Sequence, residues 1–256
     1  MKATFALVTL LATPAVADVG PVPRADIFVL GEVHDNPLHH AEQARIVAQV
    51  APAALVFEML SSAQAEAAMT VDRTDAQALD AATGWSDGPW PDFAMYAPIF
   101  AAAPGARIVG AAVPRDAVIT VMQGGLANVP NALPDLPLDA PTLATLAEEQ
   151  AAAHCGKLPE DMLPGMVNAQ RLRDAAFGGA AVAAYEATGG PVVLITGTGH
   201  ARTDVGAPAA IRAARPDLTV WALGQVEGAA EADAPFDAVN VTPVQDRPDP
   251  CLAFAN

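Results

Sequence analysis

Two segments far apart in the chain carry residues suited to acid–base or ligand chemistry. GEVHDNPLHH, residues 31–40, holds three of the five histidines, with Glu32 and Asp35 beside them. GTGHARTDVGAP, residues 197–208, carries His200 among glycines. Glu58 in VFEML and Arg115 in GAAVPR lie between them in sequence. Glu32 and His34 are two apart, so on extended backbone both project to one side. His34, His200 and either Glu32 or Glu58 would supply three metal ligands and leave an open position, as a catalytic zinc requires. The same oxygen and nitrogen set suits manganese, although HExxH is absent. Without a metal, a glutamate and a histidine serve as general base and acid once burial shifts their pKa values. A serine triad draws no support, because there is no GxSxG. Plainer roles stand beside these. Glu32 and Glu58 can cap helix N-termini, His34 can bond loop backbone, and Arg115 can pair with Asp116 or Glu58. His39 and His40 fall about 100° apart on a helix, so one of them is expected in solvent.

These groups share one position in the element pattern. Asp26–Leu30 is a continuous apolar run, as in a strand buried on both faces. Asn36 then caps a helix with Pro37 at its first position, running to about Val50. Further strands are expected at 53–57, 106–111, 191–196, 218–223 and 238–242. Helices are expected at 61–69, 93–103, 142–154, 163–187 and 205–214. Strand alternating with helix implies an α/β fold with a parallel sheet flanked by helices. NVPNALPDLPLDAP, residues 128–141, opens a stretch too long for one crossover. It is read as an inserted, mainly helical subdomain at 128–187, with 18–127 and 188–256 forming the α/β domain. Glu32, His34, Glu58, Arg115 and His200 then all follow strands. In an open parallel sheet, ligands bind beyond the carboxyl ends of the strands.

Bulk properties narrow the classes. MKATFALVTLLATPAVADVG reads as a secretory signal peptide cut after Ala17. Its apolar core is too short to span a bilayer, and no later run is long and clean enough. No cysteine stands at the cut, so no lipid anchor is signalled, and a periplasmic protein is expected. The 13 basic and 29 acidic residues give −16. Such a field repels nucleic-acid phosphates and anionic lipid, so neither is an expected partner. The two cysteines, Cys155 and Cys251, most simply pair in an oxidising compartment. There is no C-x-x-C-H, which excludes covalent c-type haem. Noncovalent haem needs a His, Tyr, Cys or Met ligand in a mostly apolar pocket. Tyr96, in WPDFAMYAPIF, either lines such a flat cofactor or belongs to a core helix.

The chain resembles the ChaN-like haem-binding uptake proteins, a group related to the Tiki and TraB proteins and, more distantly, to erythromycin esterases. GEVHDNPLHHAEQ (31–43), FEML (57–60), AVPR (112–115), AHCGKLPEDMLPGMVNAQRLRDAAF (153–177), GTGHARTDVGAP (197–208) and a late DPC carry the resemblance. It implies a haem-binding protein of the bacterial envelope in iron uptake, rather than an enzyme. The resemblance implies a tyrosine contact with haem, for which Tyr96 is the candidate; His34, His200 and Arg115 are further candidate haem contacts. Enzymatic relatives place a metal or catalytic set where Glu32, His34, Glu58 and His200 stand, so a metal-dependent hydrolase is the alternative. Gln170, Arg173 and Asp174 share one helix face; they either reach into the site or brace the helical part against the sheet, with bracing favoured and Arg173 reaching an anion. A homodimer sandwiching flat ligands and an envelope transport partner are both consistent with the resemblance.

Overall fold

A computed structural model describes residues 19–249 and 251–252. The expected leader at 1–17 lies outside the described residues. Six strands form one sheet: β1 (Ile27–Glu32), β2 (Ala54–Phe57), β3 (Arg107–Gly110), β4 (Val192–Gly197), β5 (Val220–Glu227) and β6 (Ala238–Thr242). Their order is β3-β2-β4-β1-β5-β6, and every pairing is parallel. All six expected strands are present, with ends shifted by a few residues.

Alternation along the strands sorts the core into two layers. Phe28, Leu30, Leu55, Phe57, Val193 and Ile195 pack on one side, against α1 (Pro37–Val50) and α4 (Phe93–Ala102). Ile27, Val29, Val56, Val192 and Leu194 pack on the other, against α7 (Leu163–Thr188) and α8 (Ala207–Ala214). Both faces are covered, which is why the strands read as unbroken apolar runs.

Local chemistry starts the helices as expected. The Asn36 side chain accepts from Leu38 N and Pro37 follows it at the start of α1. Ser61 and Gln64 form a reciprocal capping box on α2 (Ser62–Ala68). The helical part between β3 and β4 comprises α5 (Arg115–Met122), α6 (Ala140–Ala153) and α7. Two helices escape the pattern reading. α3 (Ala76–Thr83) is short and has few large apolar residues. α5 holds Val118, Ile119, Thr120 and Val121 in succession, a β-branched run with little intrinsic helix preference. Cys155 and Cys251 form a disulfide, tying the end of α6 to the C-terminal tail. That tail also crosses the end of β1, where Arg247 Nε lies 2.9 Å from Asp35. Among the described residues, no helix is long and apolar enough to cross a membrane.

The connections define where a ligand would sit. From β1 the chain crosses β4 to reach β2; from β4 it crosses β1 to reach β5. Neighbouring strands β1 and β4 therefore send their connections in opposite directions. A crevice opens beyond the carboxyl ends of such a pair. Glu32 is level with Gly197 there, and Phe57 with Ile195.

Candidate functional site

Glu32 ends β1, two residues beyond Leu30, and so points to the α1 and α4 side. It is 2% exposed. The Tyr96 hydroxyl donates to its Oε1 at 2.5 Å, and Gln43 Nε2 donates to Oε2 at 2.8 Å. His34 Nδ1 lies 2.8 Å from Oε1 and His40 Nδ1 3.4 Å from Oε2. Burial by itself would raise the Glu32 pKa, but the hydrogen bonds of His34 and His40 outweigh it and bring the group down to about 2. Glu32 is thus an enclosed, ionised anchor for four side chains.

His34 links that anchor to the crevice. Its Nε2 lies 3.3 Å from Glu58 Oε1, and its side chain is 38% exposed. Burial lowers its pKa, but Glu32 and Glu58 together raise it above the ordinary value. The Trp90 ring meets it edge-on, centroids 5.1 Å apart. Glu58 is itself fixed from β4. Thr196 Oγ1 donates to it at 2.5 Å and the Gly197 amide at 3.1 Å. A side chain at Gly197 would bring its Cβ to 3.3 Å from His34 Nε2. A Cβ on Gly31 would stand 2.9 Å from the backbone of Thr198, so glycine there lets the turn carrying His200 pack onto β1.

His200 is held from α7. Its Nδ1 lies 2.7 Å from Asp174 Oδ1, with the Gln170 amide 3.1 Å away and Phe177 edge-on at 4.9 Å. Burial disfavours the imidazolium, but the Asp174 carboxylate raises the His200 pKa. Burial pushes Asp174 up to about 6, against the pull of His200. Nδ1 donating to a carboxylate fixes the tautomer and leaves Nε2 as the basic nitrogen. No hydrogen bond joins that Nε2 to another of the described residues.

The remaining expected residues are placed as follows. Tyr96 is wholly buried, its ring against His40 at 4.1 Å and Trp85 at 4.5 Å. Burial first, and then Glu32, push its pKa far up. Its oxygen is therefore a neutral donor to Glu32 and does not line the open crevice. Tyr185, the other of the two tyrosines, lies at the opposite end of the sheet, 3.4 Å from Asp26. Arg115 is exposed at the start of α5. Neither expected pairing, with Asp116 or with Glu58, is among the ion pairs of the described residues.

Two expectations change. No histidine of the pair on α1 is solvated: His39 and His40 are 0% and 1% exposed. His39 joins Val33 N to Thr242 Oγ1, and burial takes its pKa down to about 4. His40 bonds the His34 carbonyl at 2.8 Å and belongs to the Glu32 cluster. Asp174 and Gln170 do more than brace, because both reach His200. Their i, i+4 spacing was the legible signal; Gln43 and Thr196 had none.

Among the described residues, no group of three or more His, Cys, Asp or Glu is placed to hold a metal ion. The oxygens of Glu32 are already taken by four donors, so the metal-ligand set gains no support from the geometry. Two cavities lie away from these residues. One of about 490 Å³ runs along the β3 edge, between Pro114, Val129 and Ala176. It contains none of the imidazoles.

A family model described as haem-binding uptake, Tiki superfamily, ChaN, matches residues 19–211. The chain belongs to this ChaN family. The match spans β1 to α8, and with them Glu32, His34, Glu58, Tyr96, Asp174 and His200. A solved structure described as cofacial heme binding to ChaN of Campylobacter jejuni is similar, with 20% identity and a TM-score of 0.65 over 84% of this chain and 86% of that one. At that identity it supports the ChaN fold. The type III effector HopBA1 is 16% identical with a TM-score of 0.43, over 86% of this chain and 88% of its own. No curated protein matches.

Proposed function

We propose that this ChaN-family protein is an exported haem-binding protein of the bacterial envelope, acting in iron or haem uptake. Membership of a haem-binding uptake family carries the class of ligand. The observation that carries the site is His200, held at Nδ1 by Asp174 with Nε2 unpartnered. A histidine whose far nitrogen donates to a carboxylate is a more basic and better oriented iron ligand. Tyr96 is the weaker candidate, because its hydroxyl would have to leave Glu32. His34 has both nitrogens engaged. The residues present suit haem in two respects: an open imidazole nitrogen and the flat Trp90 ring beside His34. His200 would hold the iron of a bound haem, whose porphyrin would report binding by a shift of its Soret band. Export rests on the leader read at 1–17 and on the disulfide, which suits an oxidising compartment. A homodimer and a transport partner belong to the same reading.

The test is a hemin titration of the mature protein, followed through the Soret band. Saturable binding that His200→Ala abolishes or shifts, and that Tyr96→Phe leaves in place, is expected. No saturable binding refutes the haem reading. A band altered only by Tyr96→Phe moves the axial role to Tyr96.

A second reading is hydrolysis by acid–base chemistry. Two imidazole–carboxylate pairs, Glu32 with His34 and Asp174 with His200, favour it, because they face one crevice across Glu58. Ester and peptide substrates turned over by the wild type and lost in both Glu58→Gln and His200→Ala would establish it. A screen without turnover would end it.

A further inference from the structure

Two arginines on the helices behind His200 make no ion pair. Arg173, on α7, is half-buried, and Arg115, at the first position of α5, is exposed. Neither has an ion-pair or hydrogen-bond partner among the described residues. Arg171, Arg202, Arg212, Arg215 and Arg247 all sit on carboxylates.

Among the described residues Arg24 and Arg107 are unpaired as well, but Arg115 and Arg173 stand level with each other on neighbouring helices. The end of α5 meets the beginning of α7, where a Cβ on Gly165 would come within 2.4 Å of the Met122 carbonyl. Pro114, just before α5, shares a cavity wall with Ala176 and Ala180 of α7. The helices therefore run antiparallel in contact. Stepping back seven residues from Met122 gives Arg115, and stepping forward seven from Gly165 gives Leu172. At about 1.5 Å per residue, Arg115 lies beside the turn that carries Arg173. That turn is also the one from which Asp174 holds His200. Arg173 is near enough to act on the charge of both.

Two like charges side by side repel, and a half-buried one also loses hydration. A bound anion removes both penalties. The Asp116 carboxylate beside Arg115 accepts from the Ala117 amide and makes no ion pair with the guanidinium. We propose that Arg115 and Arg173 form a carboxylate clamp at the rim of the His200 crevice. On the haem reading above, on which this rests, the clamp takes the propionate groups while the iron faces His200. Guanidinium forks match carboxylate geometry with paired charge-assisted hydrogen bonds.

The test compares hemin with hemin dimethyl ester, which keeps the iron and ring and lacks the anionic carboxylates. Both are titrated into wild type and into Arg115→Gln/Arg173→Gln by Soret absorbance. The wild type should bind hemin about tenfold more tightly than the ester, a difference of about 1.4 kcal/mol. The double variant should bind the two alike, with ester affinity unchanged. Single Arg→Lys variants should keep part of the preference, since charge remains and the fork is lost. Equal binding of hemin and ester by wild type overturns the clamp and leaves the haem reading standing. A preference that survives in the folded double variant also overturns it, because the carboxylates are then held elsewhere. Binding of neither compound overturns both.

Discussion

Tyr96→Phe removes a single oxygen from the middle of the site and separates two roles for this residue. The hydroxyl donates to Glu32 at 2.5 Å, inside a cluster where Tyr96 is 0% and Glu32 2% exposed. The phenyl ring keeps its contacts with His40 and Trp85, so packing is preserved and the change reports the hydrogen bond. Hydrogen bonds to charged groups contribute about 1.5–3 kcal/mol, and water cannot easily replace this donor. A loss of about 2 kcal/mol in urea unfolding at pH 7 is expected, with an unchanged m-value. The pH dependence adds a second check. Glu32 has its folded pKa lowered to about 2, from an ordinary 4.5. Its stabilisation is therefore fully present above about 4.5 and is lost as pH falls through about 2. With one donor gone, the acid transition should move to higher pH. A change below about 0.5 kcal/mol, with the acid transition unmoved, would refute the view of Glu32 as an anchored carboxylate. The same variant titrated with hemin should keep its Soret band; loss of the band would show that Tyr96 leaves Glu32 to ligate iron.

Asp174→Asn should weaken hemin binding by about 10–100-fold, because the carboxylate behind a ligating imidazole sets its orientation and basicity. Protonated imidazole cannot ligate, and Asp174 raises the His200 pKa. Wild-type binding should therefore fail on acidification at a higher pH than in the Asn variant, as a pH series of titrations would record. Removing the disulfide with Cys155→Ser/Cys251→Ser frees a loop with a separation of 96 residues; loop entropy assigns this about 4.7 kcal/mol, and about 2–5 is the range to expect from denaturant melts. Gly110→Ala would place a Cβ 2.3 Å from the Ser61 carbonyl oxygen, and overpacking against backbone should cost about 3 kcal/mol in the same assay.

The strands and most helices of this protein are legible locally. Continuous apolar runs such as IFVL mark strands covered on both faces, and Asn36-Pro37 or Ser61 with Gln64 mark helix starts by chemistry that acts within four residues. From those marks it follows that Glu32, His34, Glu58 and His200 all stand just after strands, since that depends only on where each strand ends. The helix at Arg115–Met122 was not legible, because its β-branched residues favour a strand until packing on α7 decides otherwise. The partners were not legible either. Tyr96 is 64 residues from Glu32 and Thr196 is 138 from Glu58. They meet because β1 lies beside β4 and β2 on its other side, an order that no local pattern encodes. Sequence thus determined which groups reach the carboxyl edge of the sheet. Only the tertiary structure decided that Tyr96 is sealed beneath Glu32 while His200 keeps a nitrogen open, because burial and charge pairing arise only when distant segments pack together.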